Sequence, residues 1–411
     1  MNILIISQYF YPESFRINDI ASEWVKRGHK VSVVTGIPNY PEGRFYKGYS
    51  FRRKRHEEYN GINIHRLSLI PRGHSKIGIT LNYLSFMISG LIWAHTTRIK
   101  ADVVFSFETS PMTQVLIGTK YSKRTHTRHL VYVQDLWPEN VEEVGGIRNP
   151  VVIKPLDSMV KFIYRNADMI LATSPSFVKM ITKRMADDKK AKCSDFSEKV
   201  IYWPQYAEDF YKPIVSECPK EDDAFRIVFT GNIGYAQGLE ILPECARMLM
   251  SEGYSDRIRF VLVGDGRARQ DLKKSIERLG VGGMFIFVGR KKPEEIPGIL
   301  SENDIAYLSF SNNKLFEATI PAKLQSYMAC GMPVLASASG ETERIITEAG
   351  CGICCHPGDC EELKESIIRF MKMSMQQLKL LSKKSFEYSG KYFDRDMLMD
   401  EMERHLTCFD K

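Results

Sequence analysis

Ala318-Thr-Ile-Pro-Ala-Lys-Leu-Gln-Ser-Tyr-Met-Ala-Cys-Gly-Met-Pro-Val-Leu335 reads as a helix followed by a buried strand. Pro321 suits the first turn of a helix, where its missing N–H is no loss. Leu324, Tyr327 and Met328 recur at helical spacing, Gly331 stops the helix, and Pro333-Val-Leu-Ala336 is a short apolar strand. A helix start carries about half a positive charge, and Lys323 adds a full one beside it. Such an end suits an anion, for example a diphosphate. The alternative is an ordinary helix–strand unit with an exposed lysine.

Two further segments lie in the same half. Phe225-Arg-Ile-Val-Phe-Thr230 is a strand, Gly231-Asn-Ile-Gly-Tyr-Ala-Gln-Gly238 a glycine-rich loop, and Leu239 opens a helical pattern. Arg259-Phe-Val-Leu-Val-Gly-Asp-Gly266 is another strand that ends in glycines. Glycines between strand and helix let backbone N–H groups come close to a phosphate. Taken together, the three features favour a nucleotide site.

Apolar runs alternate with helical patterns along the whole chain. Strands are predicted at 2–7, 31–35, 62–70, 102–107, 129–134, 168–173 and 199–203. In the second half they fall at 225–230, 258–264, 284–288, 304–309, 333–336 and 352–355. This alternation predicts an α/β protein with two doubly wound, Rossmann-like parallel-sheet domains. The expected division is residues 1–205, a linker at 206–222, a second domain at 223–390, and a closing helical segment at 391–411.

The 411 residues suffice for two cores, and 44% hydrophobic with 26% charged residues is a globular composition. The net charge of +7 is uneven. Residues 1–205 hold 30 Lys+Arg against 18 Asp+Glu, and the remainder 27 against 32. The first half therefore suits an anionic partner or membrane surface. Its start reads as a strand and not as a signal peptide, so disulfides are not expected. Cys351, Cys354, Cys355 and Cys360, with His356, fit no standard zinc spacing and read as a buried strand with its turn. Residues 77–94 carry no charge, but Thr80, Asn82, Ser85 and Ser89 interrupt them. A packed helix that touches lipid is expected there in place of a span. Upstream, Arg52-Arg-Lys-Arg55 lies among Phe45, Tyr46, Tyr49 and Phe51, a composition that suits anchoring on anionic lipid or a plain solvated face. Nucleic acid is not expected as a partner, since no RNA or DNA module is present.

These motifs resemble family 4 of the retaining glycosyltransferases, which have the GT-B fold, two such domains with a cleft between them. The similar stretches are the 231–238 loop, Val263-Gly-Asp-Gly266, Phe287-Val-Gly-Arg290, the 321–336 segment and Pro357-Gly-Asp359. In the first half they are Tyr9-Phe-Tyr-Pro-Glu13, Thr35-Gly-Ile-Pro-Asn-Tyr-Pro41, Gln134-Asp-Leu-Trp-Pro-Glu139 and Ala172-Thr-Ser-Pro-Ser176. The subgroup of closest resemblance builds bacterial O-antigen, capsule and colanic acid. The resemblance implies transfer of a hexose, N-acetylhexosamine or N-acetylfucosamine type of sugar from a UDP- or GDP-sugar. The implied acceptor is a lipid-linked (undecaprenyl-type) saccharide at the inner face of the cytoplasmic membrane, with no metal or other cofactor. It also implies that the closing helix returns to the first domain.

Donor contacts are expected from Gly231, Asn232, Gly234, Gln237, Gly264, Arg290, Glu317, Pro321 and Lys323, and from Arg16 in the first loop. The family places an Arg and a Lys in the glycine loop, where this chain has Asn232 and Gln237. The family's two glutamates, seven residues apart, fall on Ala318 and Ser326, with Glu317 one place off. Asp135, at the end of strand 129–134, is expected to orient or deprotonate the acceptor hydroxyl, or else to cap the turn that follows. Glu108 is a second carboxylate at a strand end. Asp394-Arg-Asp396 reads as a helix cap and not a metal motif. Other GT-B reactions, such as nucleotide-sugar epimerisation or phosphorolysis, remain alternatives, as does a catalytically inactive subunit. A dinucleotide oxidoreductase is disfavoured, because the first strand leads into Ser7-Gln-Tyr-Phe-Tyr-Pro12 with no glycine fingerprint.

Overall fold

The computed structural model describes residues 1–191, 196–214 and 222–407. They form two compact units, Met1–Trp203 with the chain end from His405, and Pro204–Arg404. The first carries strands β1 (Asn2–Ile6), β2 (Lys30–Gly36), β3 (His56–Tyr59), β4 (Ile62–Leu67), β5 (Val103–Glu108), β6 (Arg128–Val133), β7 (Met169–Ala172) and β8 (Val200–Tyr202). They assemble in the order β3-β4-β2-β1-β5-β6-β7-β8. All neighbours are parallel except β3 and β4. The second unit carries β9 (Phe225–Thr230), β10 (Ile258–Val263), β11 (Phe285–Gly289), β12 (Ile305–Ser309), β13 (Val334–Ser337) and β14 (Gly352–Cys355). Their order is β11-β10-β9-β12-β13-β14, parallel throughout.

Both sheets reverse their winding direction once, between β1 and β5 and between β9 and β12. Loops at the carboxyl ends of the strands diverge at such a point and leave a crevice. The strands are apolar on both faces because helices cover both. In the second unit Phe229, Leu262 and Leu335 pack with Leu242, Leu249, Leu363 and Phe370 of the flanking helices.

One strand lies outside the sequence expectation. β3 sits inside the segment read as a basic run and pairs antiparallel with β4. The turn is Asn60-Gly61, and both residues have positive φ, as a tight hairpin turn requires. The Asn-Gly pair signals this, but the surrounding charge hides the alternation of a four-residue edge strand. β4 also stops at Leu67, short of residue 70, because Ser68 to Ile70 turn to meet the helix Lys76–Thr96. Of the expected linker, residues 215–221 lie outside the described residues, as do 408–411 of the closing segment. That segment contains the helix Arg395–Thr407. Asp394 caps it by accepting from the Met397 N–H (2.8 Å). At its end the His405 carbonyl accepts from Arg128 Nη1 (3.2 Å).

The helix Lys76–Thr96 is long and apolar enough by length and composition to cross a membrane, yet its polar residues hold it to the first unit. Asn82 is buried, donates from Nδ2 to the Ile70 carbonyl (2.6 Å) and accepts at Oδ1 from Gln8 Nε2 (2.7 Å). Ser89 donates to the Ser68 carbonyl (2.6 Å). Asn82, Phe86, Gly90 and Ala94 form the inner stripe. Ile77, Leu81, Leu84, Ile88 and Ile92 form an outer one, each between 41% and 74% exposed. The helix is therefore amphipathic within an uncharged sequence.

Asn82→Ala leaves the buried Gln8 amide without its partner and releases the Ile70 carbonyl. Unsatisfied buried groups cost about 1–3 kcal/mol each, so the urea midpoint of the first unit should fall clearly. An unchanged midpoint contradicts this docking of the helix.

Candidate functional site

At the turning point of the second sheet, β9 runs into the glycine loop. Gly231 has φ +128°, a conformation that L side chains avoid, and a Cβ there would meet Lys323 Cδ at 3.3 Å. Gly264 backs onto it. Its own Cβ would lie 1.8 Å from the Gly231 carbonyl oxygen, so only glycine allows these two loops to touch. The Ile233 N–H donates to the Asp265 carbonyl (2.9 Å), and the Ala268 N–H returns to the Ile233 carbonyl (3.0 Å). On the other side, Ser311 N–H donates to the Ala236 carbonyl (3.1 Å), and Ser309 Oγ to that of Gln237. The loop is thus clamped between the ends of β10 and β12. Among the described residues, the N–H groups of Asn232 and Gly234 have no acceptor.

The helix that carries Lys323 is Ala322–Ala329. Pro321 is its cap, with extended ψ of 136°, and not its first turn. The ring still fixes φ for entry and leaves Lys323 as the second helical residue. The helix is pinned to β9 by Tyr327, whose Oη accepts from the Thr230 N–H (2.9 Å). Lys323 then reaches back over the loop. Its Nζ donates to Gln237 Oε1 and lies 4.3 Å from the centroid of the Phe229 ring. Burial pushes its ammonium down to about 7. No carboxylate lies within ion-pair distance of this ammonium among the described residues. A half-buried cation, two open N–H groups and a helix start meet at one end of the sheet, an arrangement that suits an anion.

The other expected donor contacts are spread out. Arg290 follows β11, two strands from the loop, is largely exposed and pairs with Asp265 (3.7 Å). Glu317 ends the short helix Lys314–Glu317 and is exposed. Its carbonyl packs under Gly340, where a Cβ would come within 2.1 Å. Ser326, at the second glutamate position, is buried and its hydroxyl closes on the Ala322 carbonyl of its own helix (3.2 Å). The cysteine stretch is β14 with its turn, and among the described residues no three His, Cys, Asp or Glu side chains converge on a metal-sized site.

In the first unit, Glu108 is the last residue of β5 and fully buried. Its Oε2 accepts from the N–H groups of Gln134 (3.3 Å) and Asp135 (3.2 Å). Burial, then the neighbouring Asp135 charge, hold its carboxyl well above the usual carboxylate range. Asp135 lies two residues beyond β6, not at its end. It caps no turn of its own. Its Oδ2 accepts from the Ser110 N–H (2.7 Å), on the loop after β5. Burial raises its carboxyl as well. The two acids are therefore a coupled pair at the carboxyl ends of adjacent strands, with Glu108 the better proton holder. Ser110 Oγ also accepts from Trp137 Nε1 and Asn140 Nδ2 (3.1 Å each). Arg16 opens the helix Arg16–Lys26, within electrostatic reach of the Tyr132 hydroxyl.

Residues 14–191 match the family model described as glycosyl transferase 4-like domain, and residues 214–387 the model described as glycosyl transferases group 1. A putative colanic acid biosynthesis glycosyl transferase of Escherichia coli, WcaI, is 26% identical over 395 residues, covering 89% of this chain and 91% of that protein. The probable glycosyltransferase WbjE of Pseudomonas aeruginosa is 24% identical, covering 75% and 74%. Among solved structures, the sucrose-phosphate synthase of Thermosynechococcus elongatus superimposes with a TM-score of 0.76 at 15% identity, covering 98% of each chain. WaaG, a glycosyltransferase involved in lipopolysaccharide biosynthesis, gives 0.67 at 14% over the whole of both chains. HepE of Anabaena, in complex with UDP and glucose, gives 0.67 at 14% over 99% of each. With both halves matched and the two doubly wound units in place, the chain belongs to glycosyltransferase family 4 and has the GT-B fold.

Proposed function

We propose that this glycosyltransferase moves a sugar, with retention of configuration, from a UDP- or GDP-sugar to a lipid-linked saccharide during synthesis of a bacterial surface polysaccharide. The observation that carries the reading is Lys323, drawn over the Gly231–Gln237 loop at the turning point of the second sheet. Breaking the glycosidic bond to a nucleoside diphosphate leaves two phosphates that gain charge. Lys323, the Asn232 and Gly234 N–H groups and the helix start at Ala322 neutralise it, so the step needs no divalent metal. The carboxylate of Asp135 orients the acceptor hydroxyl and draws off its proton, while burial holds the neighbouring Glu108 carboxyl well above the usual carboxylate range and so disfavours a second charge beside it. The similarity to WcaI, WbjE and WaaG supports the class of product. The HepE complex supports a UDP-sugar donor.

The enzyme works, in this reading, on the inner face of the cytoplasmic membrane. The outer stripe of the helix Lys76–Thr96 and the segment with Phe51 and Arg52 to Lys54, all exposed, support it. Phe45 ties that segment to the same apolar cluster as the helix, through Leu67, Phe86 and Ala94. Arg55 is only half-exposed. Its Nη1 donates to Ser68 Oγ (2.7 Å) within the hairpin.

Lys323→Ala removes a charge-assisted contact worth about 1.5–3 kcal/mol. Measured in EDTA, kcat/KM should fall about ten- to a hundredfold from a wild type that keeps its rate in chelator. A variant within twofold of wild type rejects the phosphate role. A wild type that is dead in EDTA and revived by Mg²⁺ rejects the metal-free step.

Each basic residue at an anionic bilayer contributes about 1 kcal/mol. Replacing Arg52, Arg53 and Lys54 with Ser should therefore weaken co-sedimentation with phosphatidylglycerol vesicles by about a hundredfold, and added salt should weaken the wild type. Equal pelleting of variant and wild type marks the run as a solvated face only.

A further inference from the structure

Arg72 lies on the loop between β4 and the helix Lys76–Thr96, and the mechanism above leaves it unused. It is half-buried, and its backbone N–H is fixed by Asn39 Oδ1 (3.0 Å). Its guanidinium lies over the Tyr40 ring (5.1 Å). Among the described residues no carboxylate comes within ion-pair distance of it. Arginine is seldom left half-buried and unpaired, since the desolvated charge calls for an anion.

The surroundings are those of a binding surface. Tyr40, exposed, packs on Tyr9 (5.4 Å) and Phe15 (5.5 Å), and Tyr9 stacks on Phe15 (5.1 Å). Glu13 fixes the platform from beneath, accepting at one oxygen from the N–H groups of Asn39 (2.8 Å) and Tyr40 (2.6 Å). Tyr83 is within electrostatic reach of both Arg72 and Asp135. The loops after β1, β2 and β4 thus bring together an aromatic platform and a cation that has no carboxylate within ion-pair distance among the described residues, Glu13 acting on it only at longer range.

We propose that Arg72, with the Tyr40 and Tyr83 rings, is the subsite for the acceptor's phosphate, the group that joins the saccharide to its lipid. The inference rests on the function proposed above and adds the residue that selects a phosphate-bearing acceptor. The guanidinium fork matches phosphate oxygens, the Tyr40 ring offers a face to the adjoining sugar, and Tyr83 is within electrostatic reach of Asp135.

Farnesyl diphosphate, below its micellar concentration, serves as the probe in calorimetric titrations of the full chain. Wild type should bind it saturably. Arg72→Gln should weaken binding about tenfold or more, Arg72→Lys by less because the charge remains, and Lys323→Ala by under twofold. Unaltered pelleting of Arg72→Gln with phosphatidylglycerol vesicles should assign the phosphate to the acceptor and not to a bilayer headgroup. The proposal is overturned if wild type does not bind the probe, if Arg72→Gln binds within twofold of it, if Lys323→Ala alone loses binding, or if Arg72→Gln loses its hold on vesicles. A thermal shift with UDP and GDP on each protein separates the two readings. Its absence in wild type counts against the donor site alone, and its survival in Arg72→Gln shows that the loss of probe binding is not a loss of fold.

Discussion

A half-buried lysine ammonium is the constraint around which the second unit is arranged. Lys323 stays where it is because Tyr327 ties its helix to the end of β9, and because Gly231 leaves room for its aliphatic stem. Gly264 must in turn be glycine for the Gly231 backbone to lie where it does. Each of these contacts is local, but together they fix one cation over one loop. The free enzyme holds that cation at a disadvantage, since burial opposes the charge. In the proposed function a bound diphosphate removes the disadvantage, so the site would favour the ligand that the chemistry must release and stabilise.

The first unit follows the same topology with opposite electrostatics. Where the second sheet turns, a cation is half-buried. Where the first turns, a buried carboxyl ends β5 and a half-buried one follows β6, with their oxygens bound to the N–H groups of Ser110, Gln134 and Asp135. A parallel sheet collects chemistry at the carboxyl ends of its strands whatever the charge. The Tyr9, Phe15 and Tyr40 rings lie at that same edge, on the loops after β1 and β2.

Much of this was legible in the sequence. The period-two and period-3.6 patterns locate thirteen of the fourteen strands, because strands buried on both faces leave long apolar runs. β3 escapes because an edge strand of His56-Glu-Glu-Tyr59 has no apolar run, and only its Asn-Gly turn betrays it. Gly231, Gln237 and Lys323 were readable as one site because motif spacing carries them. Glu317 and Arg290 were not separable from that site by sequence, since which end of a loop faces the glycines depends on packing. Tyr327 read as a core residue, and its hydroxyl's hold on Thr230 has no sequence signal. The coupling of Glu108 to Asp135 needs the register of β5 and β6. Arg72 has none of its partners nearby in sequence and stayed invisible.

The central claim is that Lys323 meets the donor's diphosphate, and proton linkage tests it most directly. Its folded pKa of about 7 lies below the ordinary lysine value, so at pH 8 the free enzyme holds it mostly neutral. A bound diphosphate needs the charged form and must raise that pKa. Titration calorimetry of UDP or GDP at pH 8, in buffers of different ionisation enthalpy, should therefore show uptake of close to one proton. Affinity should fall by up to about tenfold per pH unit between pH 7.5 and 9, and Lys323→Met should abolish both effects. Binding without proton uptake, or with the same uptake in Lys323→Met, would contradict the account.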